Sequence, residues 1–296
     1  PLHGFARMSL QDRPPVRRIV SLACSNTEIV TALGCAHLLV GVDDHSDHPE
    51  DVVAALPRVG PDLDIDIERV AALEPDLVLA TLTVPGHERI VERLEAAGLP
   101  CIAPEPVSLD DVYRDITDIG ARLGVPDRAS ALVTDMRAEL EAGAAALGAA
   151  ASEGGGTEPS SDSNEGPPPA IVIQWWPKPT IAPGRLSWTT DVLERAGGHN
   201  PIGHEGVKSR PVSDEEIAEI APDAIVISWC GVHPTKYRPE VVLEKEAWAE
   251  VPAVRNGHVF CVPEAFLGRP GPRLVDGVRA LREVVDAVRR ASRNSA

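Results

Sequence analysis

Two stretches of this chain repeat one another, and the repetition limits the fold more than any other feature. Glu68-Arg-Val-Ala-Ala-Leu-Glu-Pro-Asp-Leu-Val-Leu-Ala aligns with Glu215-Glu-Ile-Ala-Glu-Ile-Ala-Pro-Asp-Ala-Ile-Val-Ile. In each copy a glutamate, helix-spaced apolar positions, a Pro-Asp turn and a buried apolar run follow in the same order. Each half opens on a strand-like run, RRIVSLA from residue 17 and AIVIQWW from residue 170. Each later ends a strand in Pro-Glu, at Pro104-Glu105 and Pro263-Glu264. Strands alternating with helices imply βαβ units and parallel pairing. The repeat is too long for a solenoid period. The expected fold is therefore α/β: two similar lobes with mainly parallel sheets, bridged by one long rigid helix, with a ligand cleft between the lobes.

The expected boundaries follow the pattern. Residues 1–16 form a tail, 17–125 the N-terminal lobe, 126–151 the bridging helix and 170–296 the C-terminal lobe. Residues 152–169, SEGGGTEPSSDSNEGPPP, lack the apolar content to fold and are expected to be a disordered acidic linker.

Composition excludes several functions. A formal net charge of -17 is incompatible with a phosphate-binding surface, so nucleic acid is not a partner. Four lysines stand against twenty-four arginines. A salt-rich environment accounts for an acidic, Lys-poor surface, and so does a GC-rich genome; stability that rises with molar salt would separate the two. The five cysteines are scattered and form no CxxC pair, so neither a disulfide framework nor a Cys-rich zinc site is expected, and the thiols read as buried and reduced. There is no GxSxG elbow, phosphate-binding loop or GxGxxG, and no nucleophile beside a base, so the chain is not expected to be an enzyme. No run is apolar enough to span a membrane.

The ordered set RRIVSLACSNTEIVTALG, LLVGVDDHSDHPED, IERVAALEPDLVLA and VRNGHVFCVPEAFLGRPGPRLVDGVRAL resembles the helical-backbone (class III) substrate-binding proteins of ABC importers. Within that group the chain is most similar to the cobalamin-binding members, over roughly residues 17–290 without the 152–169 insertion. The resemblance implies a protein that binds and delivers a metal chelate, has no cofactor of its own, acts as a monomer and works outside the cytoplasm. The N-terminus as given shows neither an apolar signal core nor a lipid-acceptor cysteine, which leaves an intracellular corrinoid carrier or sensor open.

Candidate site residues follow. By position, His45 and His48 match family sites where aromatic residues flank a corrinoid. An imidazole packs on a macrocycle and also ligates cobalt or iron, so His45 is the candidate axial metal ligand. The cluster Asp43-Asp44-His45-Ser46-Asp47-His48 also admits a bare divalent ion, though its spacing fits no zinc pattern. Trp175 matches a ring-stacking position, and Trp229 ends the repeated second-lobe strand. For Trp176 core packing is the expectation. Two positions depart from the family, with Thr81 to Thr83 and Asp62 standing where the cobalamin binders carry aromatics. Arg185, Lys208, Arg210 and Arg269 fall on predicted loops, as candidate hydrogen-bond donors to a ligand's arms. Glu68 and Glu215 sit at the same place in the repeat. Acids in a first helical turn favour the helix dipole on their own account. The resemblance adds docking, one glutamate per lobe, on the transmembrane permease. The leading cargo is cobalamin or a related corrinoid. An iron-siderophore or haem is the alternative, and an anionic siderophore would want a stronger arginine basket.

Overall fold

The computed structural model describes residues 14–149 and 166–295, which divide into two compact units. The first runs to Pro106 and resumes over Asp110–Asp135; the second takes Val107–Leu109 and the described chain from Met136 onward. Of the two segments expected to be irregular, 1–13 of the tail and 152–165 of the linker lie outside the described residues.

The first unit strings together β1 (Ile19–Ser21), α1 (Cys24–Ala32), β2 (Leu39–Val42), α2 (Glu50–Val53), α3 (Ile67–Ala72), β3 (Leu77–Leu79), α4 (His87–Ala96), β4 (Cys101–Ile102) and α5 (Leu109–Arg122). Its sheet has the order β2-β1-β3-β4 and every pairing is parallel. Helix α6 (Pro126–Ala149) begins in this unit and ends in the other. The second unit follows with β5 (Ile171–Gln174), β6 (Trp176–Pro177), β7 (Thr180–Pro183), α7 (Trp188–Arg195), β8 (Ser209–Val212), α8 (Asp214–Ile220), β9 (Ala224–Ile227), α9 (Glu240–Leu243), α10 (Pro252–Arg255), β10 (Val259–Cys261), α11 (Glu264–Leu267) and α12 (Leu274–Ser295). Strands β10-β9-β5 form a parallel sheet, as the alternation predicts. Strands β6-β7-β8 form a separate antiparallel one that the alternation does not predict.

The repeat has a structural reason. Helices α3 and α8 both end on a non-glycine residue with positive φ, Glu74 at 46° and Ala221 at 47°, directly before Pro75 and Pro222. Each helix thus closes on a left-handed residue, and the proline that follows cannot continue it. The aspartate that follows then clamps the start of the first strand of its own unit. Asp76 accepts from the Arg18 amide at 3.0 Å and Asp223 from the Ala170 amide at 2.8 Å. Each aspartate returns its own amide, to Arg18 O at 2.9 Å and to Ala170 O at 2.8 Å. The duplicated motif is a clasp that brings the helix, the strand that follows it and the first strand of the unit together in both units.

Above the clasps lie the cores. In the first unit Val20, Val78, Ile90 and Leu94 pack together; in the second, Val172, Ile217, Ile225, Trp229 and Trp248 do. Among the thiols only Cys35 is buried; Cys24 and Cys101 are half-buried and Cys230 and Cys261 exposed, all free, which corrects the expectation of buried cysteines.

One half-buried acid makes the first unit sensitive to pH. Burial, then the neighbouring carboxylates Asp111 and Asp118, push the Asp115 carboxyl up to about 7, and its Oδ2 has no hydrogen-bond partner. A folded-state value above the unfolded one gives stability that is present at acid pH and lost as pH rises through about 7. Asp115→Asn is therefore expected to raise stability near pH 8 by about 1–2 kcal/mol after allowance for solvent screening, and to change it little near pH 4. Urea midpoints at the two pH values check this, and an equal gain at both would refute it.

Candidate functional site

Parallel sheets gather their functional loops at the carboxyl ends of the strands. In the first unit the loop leaving β2 carries Asp43 to His48. Asp43 is buried, and burial raises its carboxyl even though it accepts from Ser46 Oγ at 2.5 Å and the His45 amide at 3.0 Å. Ser46 Oγ also meets Thr27 Oγ1 at 2.9 Å. The Arg58 guanidinium donates to the carbonyls of Asp43 and Ser46 at 2.8 and 2.6 Å. A loop so tied cannot wander, and it holds His45 and His48 on its exposed side. The His45 imidazole makes no hydrogen bond among the described residues and lies in the field of Asp43 and Asp62. No group of three or more His, Cys, Asp or Glu is arranged to hold a metal ion among the described residues, which does not support a bare divalent ion in this loop.

The loop leaving β3 brings Thr81 and Thr83 together, their hydroxyls 3.0 Å apart. Beside it, His87 Nε2 lies 2.6 Å from Asp62 Oδ1, and that hydrogen bond holds the Asp62 carboxyl below its usual range. The His87 ring is buried and its Nδ1 has no partner. Sequence reasoning noted Asp62 only as a missing aromatic. Its histidine partner is 25 positions away, with no local pattern to announce it.

In the second unit Trp175 follows β5. Its amide donates to Ile181 O at 2.8 Å, which fixes it to the antiparallel sheet. The residue is half-buried, and its indole N–H is an unsatisfied buried donor. An orphan donor of this kind costs about 1–3 kcal/mol until something accepts from it. Trp176 is 45% exposed, which corrects the expectation that it packs in the core. The chain leaves β5 here and enters β6, so the side that would face the core of a continuous strand faces outward.

Trp229 is placed otherwise than a ligand-facing ring. It is 6% exposed, belongs to the second unit's core, donates its indole N–H to the buried Gln174 Oε1 at 2.9 Å and meets Tyr237 edge-on at 5.6 Å. The candidate arginines are likewise engaged within the unit. Arg185 pairs with Asp191 at 3.0 Å and Glu194 at 3.2 Å. Arg210 lies in β8 rather than on a loop, and it is held between Glu205, at 2.6 Å, and Glu216; its guanidinium keeps both carboxyls below their usual range. Arg269 reaches Glu264 at 3.3 Å. Lys208 is exposed on the approach to β8.

Glu68 and Glu215 occupy matching positions. Each is the second residue of its helix, two after an N-cap whose side chain accepts from the helix: Asp66 from the Arg69 amide and Ser213 from the Glu216 amide. Both are exposed. Glu68 forms no ion pair among the described residues. Hydrogen bonds at the α8 N-terminus, from its own amide and Ser213, together with the charge of Lys245, lower the Glu215 carboxyl.

Comparison with known proteins places this geometry. A family model described as a periplasmic binding protein matches residues 19–265. An ABC transporter substrate-binding lipoprotein of Bacillus subtilis is 29% identical over 272 residues, 91% of this chain and 80% of the relative. A vitamin B12-binding protein of Vibrio parahaemolyticus is 27% identical over 291 residues, 97% of this chain and 95% of the relative. A periplasmic heme binding protein from Pseudomonas aeruginosa superposes with a TM-score of 0.75 at 30% identity, covering 91% of this chain and 92% of its own.

Proposed function

Because the chain belongs to the periplasmic binding protein family, we propose that it captures a corrinoid-type metal chelate for import through an ABC permease. It is a binding protein and not an enzyme. Such a role carries with it an extracytoplasmic place of work, and among the described residues no helix is long and apolar enough to cross a membrane.

One observation carries the choice of cargo. The three candidate arginines, Arg185, Arg210 and Arg269, are each paired with carboxylates of their own unit. A cargo with several anionic arms would have to break those pairs, a small cost at the half-exposed Arg185 and a larger one at Arg269, whose side chain is 12% exposed. A cargo whose arms are neutral amides avoids that cost. In the first unit the Asp62 carboxylate and the Thr83 hydroxyl are acceptors for such arms. The exposed imidazoles of His45 and His48 supply flat faces, and His45 an axial ligand for the chelated metal. The heme binding relative supports haem as a second reading, with His45 in the same axial role.

Absorbance titration with cobinamide, cobalamin and haem tests the proposal. Corrinoid bands are expected to shift on binding, with affinity for the corrinoids at least about tenfold above that for haem, a difference of ~1.4 kcal/mol. His45→Ala is expected to remove the spectral signature of axial ligation. Tighter haem binding would favour the second reading, and binding of none of the three would end both.

A further inference from the structure

The second unit contains a cavity of about 430 Å³ that the cargo contacts do not use. This size is ordinary for a small-molecule site. It is open to solvent and lined by Gln174, by Pro177 of β6 and Lys178 after it, and by Arg238, Glu240, Val241 and Glu244 on and around α9. Lys178 and the four residues on and around α9 are exposed. Trp248, which is 1% exposed, also lines it.

Its charges are arranged unusually for so acidic a protein. Lys178 and Arg238 form no ion pair or side-chain hydrogen bond among the described residues. Glu240 and Glu244 form no ion pair either. They stand one helical turn apart on the same lining, an arrangement of like charges that disfavours the helix by about 0.2–0.5 kcal/mol. The third cation, Lys245, is already satisfied: it pairs with Asp214 and lies 3.9 Å above the Trp248 ring. Trp248 has the complementary deficit, because its indole N–H is buried without a partner. Two unpaired cations, two unpaired carboxylates, an orphan donor and apolar surface from Pro177, Val241 and Trp248 thus line one space. The free charges cancel, so a polyanion or a polycation gains nothing net there.

We propose that this cavity is a binding site for an overall neutral, dipolar small molecule with an apolar body, the chemistry of an apolar amino acid. Its anionic end meets Arg238 and Lys178, its cationic end relieves Glu240 and Glu244, and its apolar part packs on Val241 and Trp248. Its residues differ from the proposed cargo contacts, although Gln174 directly precedes Trp175.

Calorimetry and ligand-observed saturation-transfer NMR on the full chain test it, with L-phenylalanine and L-leucine as probes and benzoate and phenethylamine as half-ligands. At least one amino acid is expected to bind with Kd of about 1 mM or tighter, and each half-ligand at least about tenfold more weakly. Arg238→Glu, an exposed substitution that leaves the core untouched, is expected to weaken the amino acid at least about tenfold. Corrinoid titration of the same variant stays unchanged, which separates failure here from failure of the cargo reading. The proposal is overturned if neither amino acid binds at about 10 mM, well above the expected Kd, if benzoate or phenethylamine binds as well as they do, or if Arg238→Glu has no effect.

Discussion

Reversing both Glu68 and Glu215 to lysine is expected to abolish cargo uptake while leaving cargo affinity within about twofold, because the cost falls on charge pairs made only in the docked complex. The physical case rests on placement. Each carboxylate is exposed, each is the second residue of its helix, and each helix is clasped to the first strand of its own unit by the Pro-Asp turn at its far end. A clasp of that kind holds each surface charge at the equivalent place on its own unit. A guanidinium or ammonium group on a permease would meet each carboxylate in the same local setting. A charge pair that becomes buried and hydrogen-bonded on docking costs about 2–5 kcal/mol when one partner is removed, so losing two lowers uptake by at least about a hundredfold, and single reversals fall between. The fold survives the change. A lysine in the first turn opposes the helix dipole by about 0.3–1 kcal/mol, a fraction of a domain's stability. Uptake in whole cells, set beside corrinoid titration of the purified double variant, decides the matter. Undiminished uptake would leave the two glutamates as helix-dipole residues and nothing more.

The repeat from which this prediction comes was legible because it is local. Helix spacing, Pro-Asp and the apolar run all lie within about a dozen residues, and a parallel βαβ unit follows from that pattern alone. The clasp itself was not legible, although both its residues are in the motif, because Asp76 and Asp223 act on amides about fifty to sixty positions away. The antiparallel sheet escaped for another reason. Its strands are two to four residues long and all three contain proline (Pro177, Pro183 and Pro211), which demotes such runs as strands. Its presence moved Arg210 from a loop into a strand and turned Trp176 outward. The candidate arginines were found as residues and misjudged in availability. Nothing in VKSRP or LGRPGP says that Glu205, Glu216 and Glu264 are within reach, since pairing of this sort depends on how short elements fold back on one another. His87 was missed outright, being an ordinary helix-start residue until Asp62 is seen beside it.

Trp229 is where sequence position and structure point to different roles, and the two roles predict different numbers. At the end of the repeated strand pattern it is a candidate ligand contact; in the structure β9 stops at Ile227, and the Trp229 ring is 6% exposed and packs in the second unit's core. Trp229→Ala is expected to cost about 3–5 kcal/mol, the usual loss for a buried aromatic with its cavity left behind. Tyr237 would lose its edge-on neighbour, and Gln174, 1% exposed, would keep only the bond from its Nε2 to Thr180 Oγ1 at 3.1 Å. Trp229→Phe is the sharper test. It keeps a ring against Tyr237 and removes the N–H that satisfies Gln174 Oε1, leaving a buried acceptor without a donor for about 1–3 kcal/mol. A packing role therefore predicts a lowered urea midpoint for Trp229→Phe with cargo affinity of the folded protein unchanged within about twofold. A ring that stacks on the cargo predicts the same loss of stability together with an affinity drop of about tenfold or more, comparable to the ~1–1.5 kcal/mol that aromatic pairs contribute beyond buried area. The packing outcome is the one expected, because an indole whose N–H is spent on a buried glutamine and whose edge is taken by a tyrosine has little surface left to offer a macrocycle.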